Sequence, residues 1–240
     1  MLFRSNILGD NPGDADVTML LDEGVDLHSF QPTAQDIQKI STCDVFIYIG
    51  GESDRWVADA LKEATSEDLI AINLLETIGD AAMEEETVEG MEPEAEEENE
   101  AEAGPAYDEH VWLSLVNAET CVSKITEVLC EADAENADTY KDNAAAYLDV
   151  LHDLDEQYAE ALSNAKTRTL LFGDRFPFRY LTDEYGLDYY AAFSEIVTSM
   201  FGSNYLWVLG SSSYHGVFAA NRKCQILTQL RQGLLANDLP

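Results

Sequence analysis

Residues 43–61 read CDVFIYIGGESDRWVADAL. The run DVFIYIG (44–50) is apolar and rich in β-branched and aromatic residues, whereas Ser53 is followed by Trp56, Val57, Ala60 and Leu61 at spacings of three and four. The first pattern fits a buried strand and the second one face of a helix, so the stretch is a strand–turn–helix unit. Its neighbours repeat the theme. VTMLL (17–21) and LIAINLL (69–75) read as further strands, and Pro32-Thr33 opens a short helix through Ile37 and Ile40. Strands alternating with helices feed a largely parallel sheet, and the expected class is α/β.

Farther along, HVWLS (110–114) leads into a helix with Val122, Ile125, Val128 and Leu129 on one side. From about Ala134 to Ala165 a second helical pattern carries Tyr140, Ala144, Tyr147, Leu151, Leu154, Tyr158 and Ala161. At about 1.5 Å per residue it spans more than about 40 Å, enough for a strut between two lobes. The strand–helix–strand pattern then returns in TRTLLFG (167–173), PFRYLTDEYG (177–186) and LDYYAAF (187–193). The layout expected is an N-terminal α/β lobe over 1–132, a long linking helix over 133–166 and a C-terminal lobe over 167–240. That last lobe becomes atypical after residue 194, where residues 195–240 hold only two acids and three bases.

Composition narrows the function. The 240 residues carry 47 acids against 13 bases, a formal charge of -34, which repels nucleic acid and anionic membranes and attracts cations. Much of that charge lies in MEEETVEGMEPEAEEENEAEA (83–103), which lacks apolar anchors and reads as an insertion rather than core. It is either a solubilising loop or a weak collector of cations. The four cysteines form no CxxC pair, and Cys121 and Cys130 on one helix stand about 13 Å apart, beyond disulfide reach. MLFRSNILGD (1–10) has no secretory-signal pattern, and no apolar run approaches transmembrane length.

Three residues are candidates for binding chemistry. His28, in GVDLHSFQPT (24–33), sits between a strand pattern and a helix start, where α/β proteins place ligand-binding groups; the plainer reading is a surface or capping histidine. His110 stands just before a helix, with Asp108 and Glu109 beside it to hydrogen-bond its second ring nitrogen; a purely structural role is the alternative. Asp174, in LLFGDRFPFRY, follows a strand pattern and either offers a carboxylate or pairs with Arg175 or Arg179. Two imidazoles and a carboxylate are a donor set that zinc accepts. His152 falls on the solvated side of the long helix, and His215 lies beside a serine run that has no GxSxG elbow. No P-loop or dinucleotide fingerprint is present.

GVDLHSFQPT, then CDVFIYIGGESDRWVADAL, then an acidic loop closing on DEHVWLS, then a long helix and FGDRFPFRYLTDEYGLDYYAAF, resemble the solute-binding proteins of bacterial zinc and manganese ABC importers over about residues 7–194. The resemblance implies two α/β lobes joined by one long rigid helix, with a metal in the cleft between them. It implies His28 and His110 as ligands, with Asp174 standing where a His-Asp pair would be expected, and no match for a fourth ligand. It also implies a lipoprotein or periplasmic binding protein outside the cytoplasm, although this chain shows no signal and its ends depart from the family pattern.

The function expected is therefore capture of zinc, with manganese as the alternative metal, and delivery to an ABC permease at the membrane. The protein would act as a monomer, without covalent catalysis and without a nucleic-acid partner. Two rival readings stand beside it: an acidic interaction or structural domain whose histidines are incidental, and a metal-dependent hydrolase, for which the sequence names no general base.

Overall fold

The computed structural model describes residues 2–9, 15–20, 30–66, 68–85, 106–172 and 176–191. Its architecture is α/β, with helices and, among the described residues, two small parallel sheets, as the alternation of patterns predicts. Residue contacts divide the chain into two units, and the division falls inside one helix, after His152. Each unit is built around one strand–helix–strand crossover.

In the first unit, helix α1 (Leu2–Leu8) precedes α2 (Ala34–Thr42). The start of α2 is set by a capping box: the Thr33 hydroxyl oxygen accepts from the Asp36 backbone N–H, and the Asp36 carboxylate accepts from the Thr33 N–H at 2.9 Å. The Thr33 side chain and backbone donors hold Asp36 below the ordinary carboxylate range. Strand β1 (Val45–Tyr48), helix α3 (Val57–Lys62) and strand β2 (Ile70–Asn73) follow. The strands pair in parallel, Val45 with Ile70 through Tyr48 with Asn73. A parallel pair cannot be closed by a hairpin, and α3 supplies the crossover. Ile40, Phe46, Val57 and Ala60 form its buried cluster, and removing each of the three larger side chains from water contributes about 1.5–3 kcal/mol.

Helix α4 (Leu74–Ile78) starts directly at the end of β2, and α5 (Leu115–Ala132) packs against both α4 and α1. The predicted stripe on α5 is the buried one: Val122, Ile125 and Val128 are nearly inaccessible, and Cys121 lies among them. Cys121 and Cys130 share this helix as expected, and burial pushes the Cys121 thiol up to about 11. Asp133, just past α5, accepts from Tyr140 Oη at 2.6 Å and from Asn136 Nδ2 at 2.8 Å, fixing the corner into α6 (Ala137–Ser163). Among the described residues no helix is long and apolar enough to cross a membrane.

The second unit takes the last part of α6, strand β3 (Thr169–Phe172), helix α7 (Arg179–Glu184) and strand β4 (Asp188–Ala191). The strands are again parallel, Thr169 with Asp188 through Phe172 with Ala191. Leu162, Leu170, Phe172 and Leu187 form its core, with Phe172 stacked on Phe178 at 5.2 Å and meeting Phe176 edge-on at 4.8 Å. Tyr185 Oη donates to Asp155 at 2.8 Å, tying the turn after α7 to α6.

Two expectations about strands need correction. Residues 17–20 of VTMLL are not a strand: Val17 and Met19 are each 38% exposed, and only Leu20 packs on the β1 core. A β-branched run becomes a strand only when a partner satisfies its backbone, and among the described residues β1 and β2 pair only with each other. LIAINLL stops being a strand at Asn73, whose side chain accepts from the Glu76 N–H and starts α4.

Candidate functional site

In an open α/β sheet, ligands are placed beyond the carboxyl ends of the strands. Beyond β1 the chain turns through Ile49, Gly50 and Gly51, with φ of +92° at Gly50 and +81° at Gly51. Both glycines are required twice over. The left-handed backbone disfavours a side chain, and a Cβ on Gly50 would lie 2.4 Å from Asn73 Oδ1, one on Gly51 2.5 Å from Glu109 Oε1. Asp54 closes the turn by accepting from the N–H groups of Ile49 at 2.9 Å and Gly50 at 3.0 Å. Burial raises the Asp54 carboxyl above its ordinary range, opposed by those two backbone donors.

A second segment meets this loop. Glu84 and Tyr107 form an antiparallel bridge, and Asp108 N–H donates to Met83 O at 2.9 Å, so the acidic insertion leaves and rejoins the unit at one point. Directly after that point come Asp108, Glu109 and His110. Val111–Leu113 form a 3-10 turn, with Val111 wholly buried, and Ser114 caps α5 by accepting from Asn117 N–H at 3.0 Å. His110 therefore sits between a pinned bridge and a capped helix.

Asp108 Oδ1 accepts from the His110 backbone N–H at 2.8 Å and stands 3.0 Å from His110 Nδ1. Because an ionised carboxylate can only accept, Nδ1 carries the ring proton and Nε2 is the basic nitrogen, the one able to bind a cation. The ring also meets Trp112 edge-on at 5.5 Å, and the side chain keeps 23% of its surface. Glu109 points elsewhere: its Oε1 accepts from Ser53 N–H at 2.7 Å. Of the two acids named beside His110, Asp108 takes the ring nitrogen and Glu109 takes the glycine loop.

Residues 3–200 match the model of one protein family, ZnuA, the periplasmic component A of a zinc-uptake complex. The chain belongs to the ZnuA family. Its curated relatives include the zinc-binding protein AdcA of Streptococcus pyogenes serotype M3, 33% identical over 190 residues, which are 78% of this chain and 36% of that protein. The high-affinity zinc uptake system protein ZnuA of Bacillus subtilis is 33% identical over 187 residues, 77% of this chain and 55% of that protein. The chain thus spans about a third to a half of the length of these ZnuA-family relatives. The crystal structure of the Zn(II)-bound ZnuA-like domain of Streptococcus pneumoniae AdcA is similar with a TM-score of 0.61 and 29% identity, over 80% of this chain and 63% of that one.

Of the three ligands expected from the ZnuA-family resemblance, His110 is placed as described, while His28 and Asp174 lie outside the described residues. Among the described residues no group of three or more His, Cys, Asp or Glu side chains is arranged to hold a metal. The sequence reading missed two features of this loop, of which only one was beyond its reach. The bond from Glu109 to Ser53 joins residues far apart in sequence, and nothing local announces it. Asn73-x-x-Glu76, by contrast, is a readable cap signal, and Asn73 also lies against Gly50.

Proposed function

We propose that this chain is the substrate-binding part of a metal-ion ABC importer, taking zinc as its cargo, with manganese as the alternative ion, and delivering it to a membrane permease outside the cytoplasm. The observation that carries the reading is the hold of Asp108 on His110 Nδ1, which leaves Nε2 as the ring atom that binds a cation. Membership of the ZnuA family and the names of its relatives support zinc as the cargo. His28 and Asp174 are proposed as further ligands with His110, supplying the nitrogen and oxygen donors that zinc takes in tetrahedral sites. The lobes are proposed to span 1–132 and 167–240, with 133–166 between them, and the working state to be a monomer. No covalent step is proposed: the chemistry is capture and release, with protons competing for the imidazole nitrogens.

Zinc titration of the full chain by competition with a chromophoric chelator tests the reading. One zinc per chain is expected, with His28→Ala and His110→Ala each weakening binding by at least tenfold. Equal affinity in the parent and both variants would remove the proposal.

A further inference from the structure

We propose that Glu109 is a positioning residue for His110, a buried carboxylate that bolts the histidine turn to the glycine loop beyond β1; its role in binding rests on the zinc reading above. Glu109 is 3% exposed. A carboxylate is costly to bury unless hydrogen-bonded, and the 2.7 Å bond from Ser53 N–H supplies such a partner. The bond is not an accident of a loose surface. Gly51 lies against the same side chain so closely that a Cβ there would come within 2.5 Å of Oε1 and 2.7 Å of Cγ. A glycine at φ +81° and a buried acid therefore form one fitted joint.

Each side of that joint is independently fixed. On the loop side, Asp54 holds the N–H groups of Ile49 and Gly50, and β1 is paired with β2 up to Tyr48 and Asn73. On the histidine side, Val111 is wholly buried and Asp108 N–H is bonded to Met83 O. His110 is the residue between Glu109 and Val111, so both chain neighbours of the imidazole are immobilised, one through the sheet end and one through the core. Asp108 sets which ring nitrogen is basic; Glu109 sets where the ring stands. A ligand held in place before the ion arrives loses less freedom on binding, which appears as affinity.

The test uses the full chain, isotope-labelled and free of metal, followed by zinc chloride titration. In the parent, His110 gives one set of ring nitrogen cross-peaks with the proton on Nδ1. Glu109→Ala is expected to broaden or shift that pattern toward mixed tautomers and to weaken zinc binding at least tenfold, while Glu109→Gln, which keeps an oxygen acceptor for Ser53 N–H, restores the ring pattern and holds affinity within about threefold of the parent. If circular dichroism shows Glu109→Ala unfolded, Gly51→Ala presses on the joint from the other side and is read in the same two ways, with the same expectation. An unchanged His110 pattern with affinity within twofold in the disrupted variant overturns the proposal, as does failure of Glu109→Gln to restore the ring pattern. A parent that binds no zinc removes the function proposed above, yet the metal-free ring spectra still decide whether Glu109 positions His110.

Discussion

Asp108 grips His110 twice through a single oxygen: Oδ1 accepts the histidine backbone N–H at 2.8 Å and faces Nδ1 at 3.0 Å. Backbone and ring are thereby fixed relative to one another. Carboxylates that orient a ligating imidazole are typically worth about 10–100-fold in metal affinity. Asp108→Ala should weaken zinc binding by about that factor while the fold persists, read by chelator competition. Wild-type affinity in this variant would count against Asp108 as the group that orients the ring.

The Trp112 indole lies edge-on to His110 at 5.5 Å, close enough to report on the state of the imidazole. Zinc addition is expected to change tryptophan emission in the parent. Trp112→Phe should abolish most of that change with zinc still bound, leaving Trp56 and Trp207 as background. An undiminished signal in Trp112→Phe would place the ion away from His110.

Asp54 offers a pH-dependent prediction. Burial raises its carboxyl in the folded state, so its contribution to stability is fully present below the unfolded carboxylate value, about 4, and is lost as pH rises through the raised folded value. Asp54→Asn keeps an oxygen for the Ile49 and Gly50 N–H groups and removes the charge. It should equal or exceed the parent at pH 7, with the advantage shrinking below about pH 4. Asp54→Ala leaves those donors without their acceptor and should lose about 1–3 kcal/mol in urea unfolding.

The corner between α5 and α6 titrates at both ends of the scale. Burial, reinforced by Asp133, pushes the Tyr140 hydroxyl up to about 12, while Tyr140 and Asn136 hold Asp133 below the ordinary carboxylate range. The Tyr140 contribution is complete below about pH 10 and lost as pH rises through about 12; that of Asp133 is present above about pH 4 and lost as pH falls through its lowered value. Tyr140→Phe should therefore lower Tm by about 2–4 °C at pH 7, and by less in strong acid, where Asp133 is protonated. A constant deficit across the acid range would show that the bond to Asp133 is not its source.

Much of the fold is written in local pattern. The strands of both crossovers, the buried stripe of α5 and the length of α6 follow from apolar spacing, with ends shifted by one to three residues. Where pattern misled, the missing information was a partner. VTMLL has a strand's composition, but the described part of it stays unpaired, and LIAINLL was interrupted by a cap between Asn73 and Glu76. His110 was recognisable as a candidate, together with a neighbouring acid for its ring. Which acid, and by which oxygen, was not.

Periodicity and caps act within a few residues, so the amino-acid order alone settles the α/β class, the helix faces, the acidic excursion and the singular position of His110 before a capped helix. Contacts across the chain settle the rest. Ser53 and Glu109 are 56 positions apart, and only the parallel pairing of β1 with β2, the left-handed turn at Gly50 and Gly51, and the bridge between Glu84 and Tyr107 bring them to 2.7 Å. A hydrogen bond of that kind needs distance and direction at once, and both are properties of the folded backbone rather than of any segment within it.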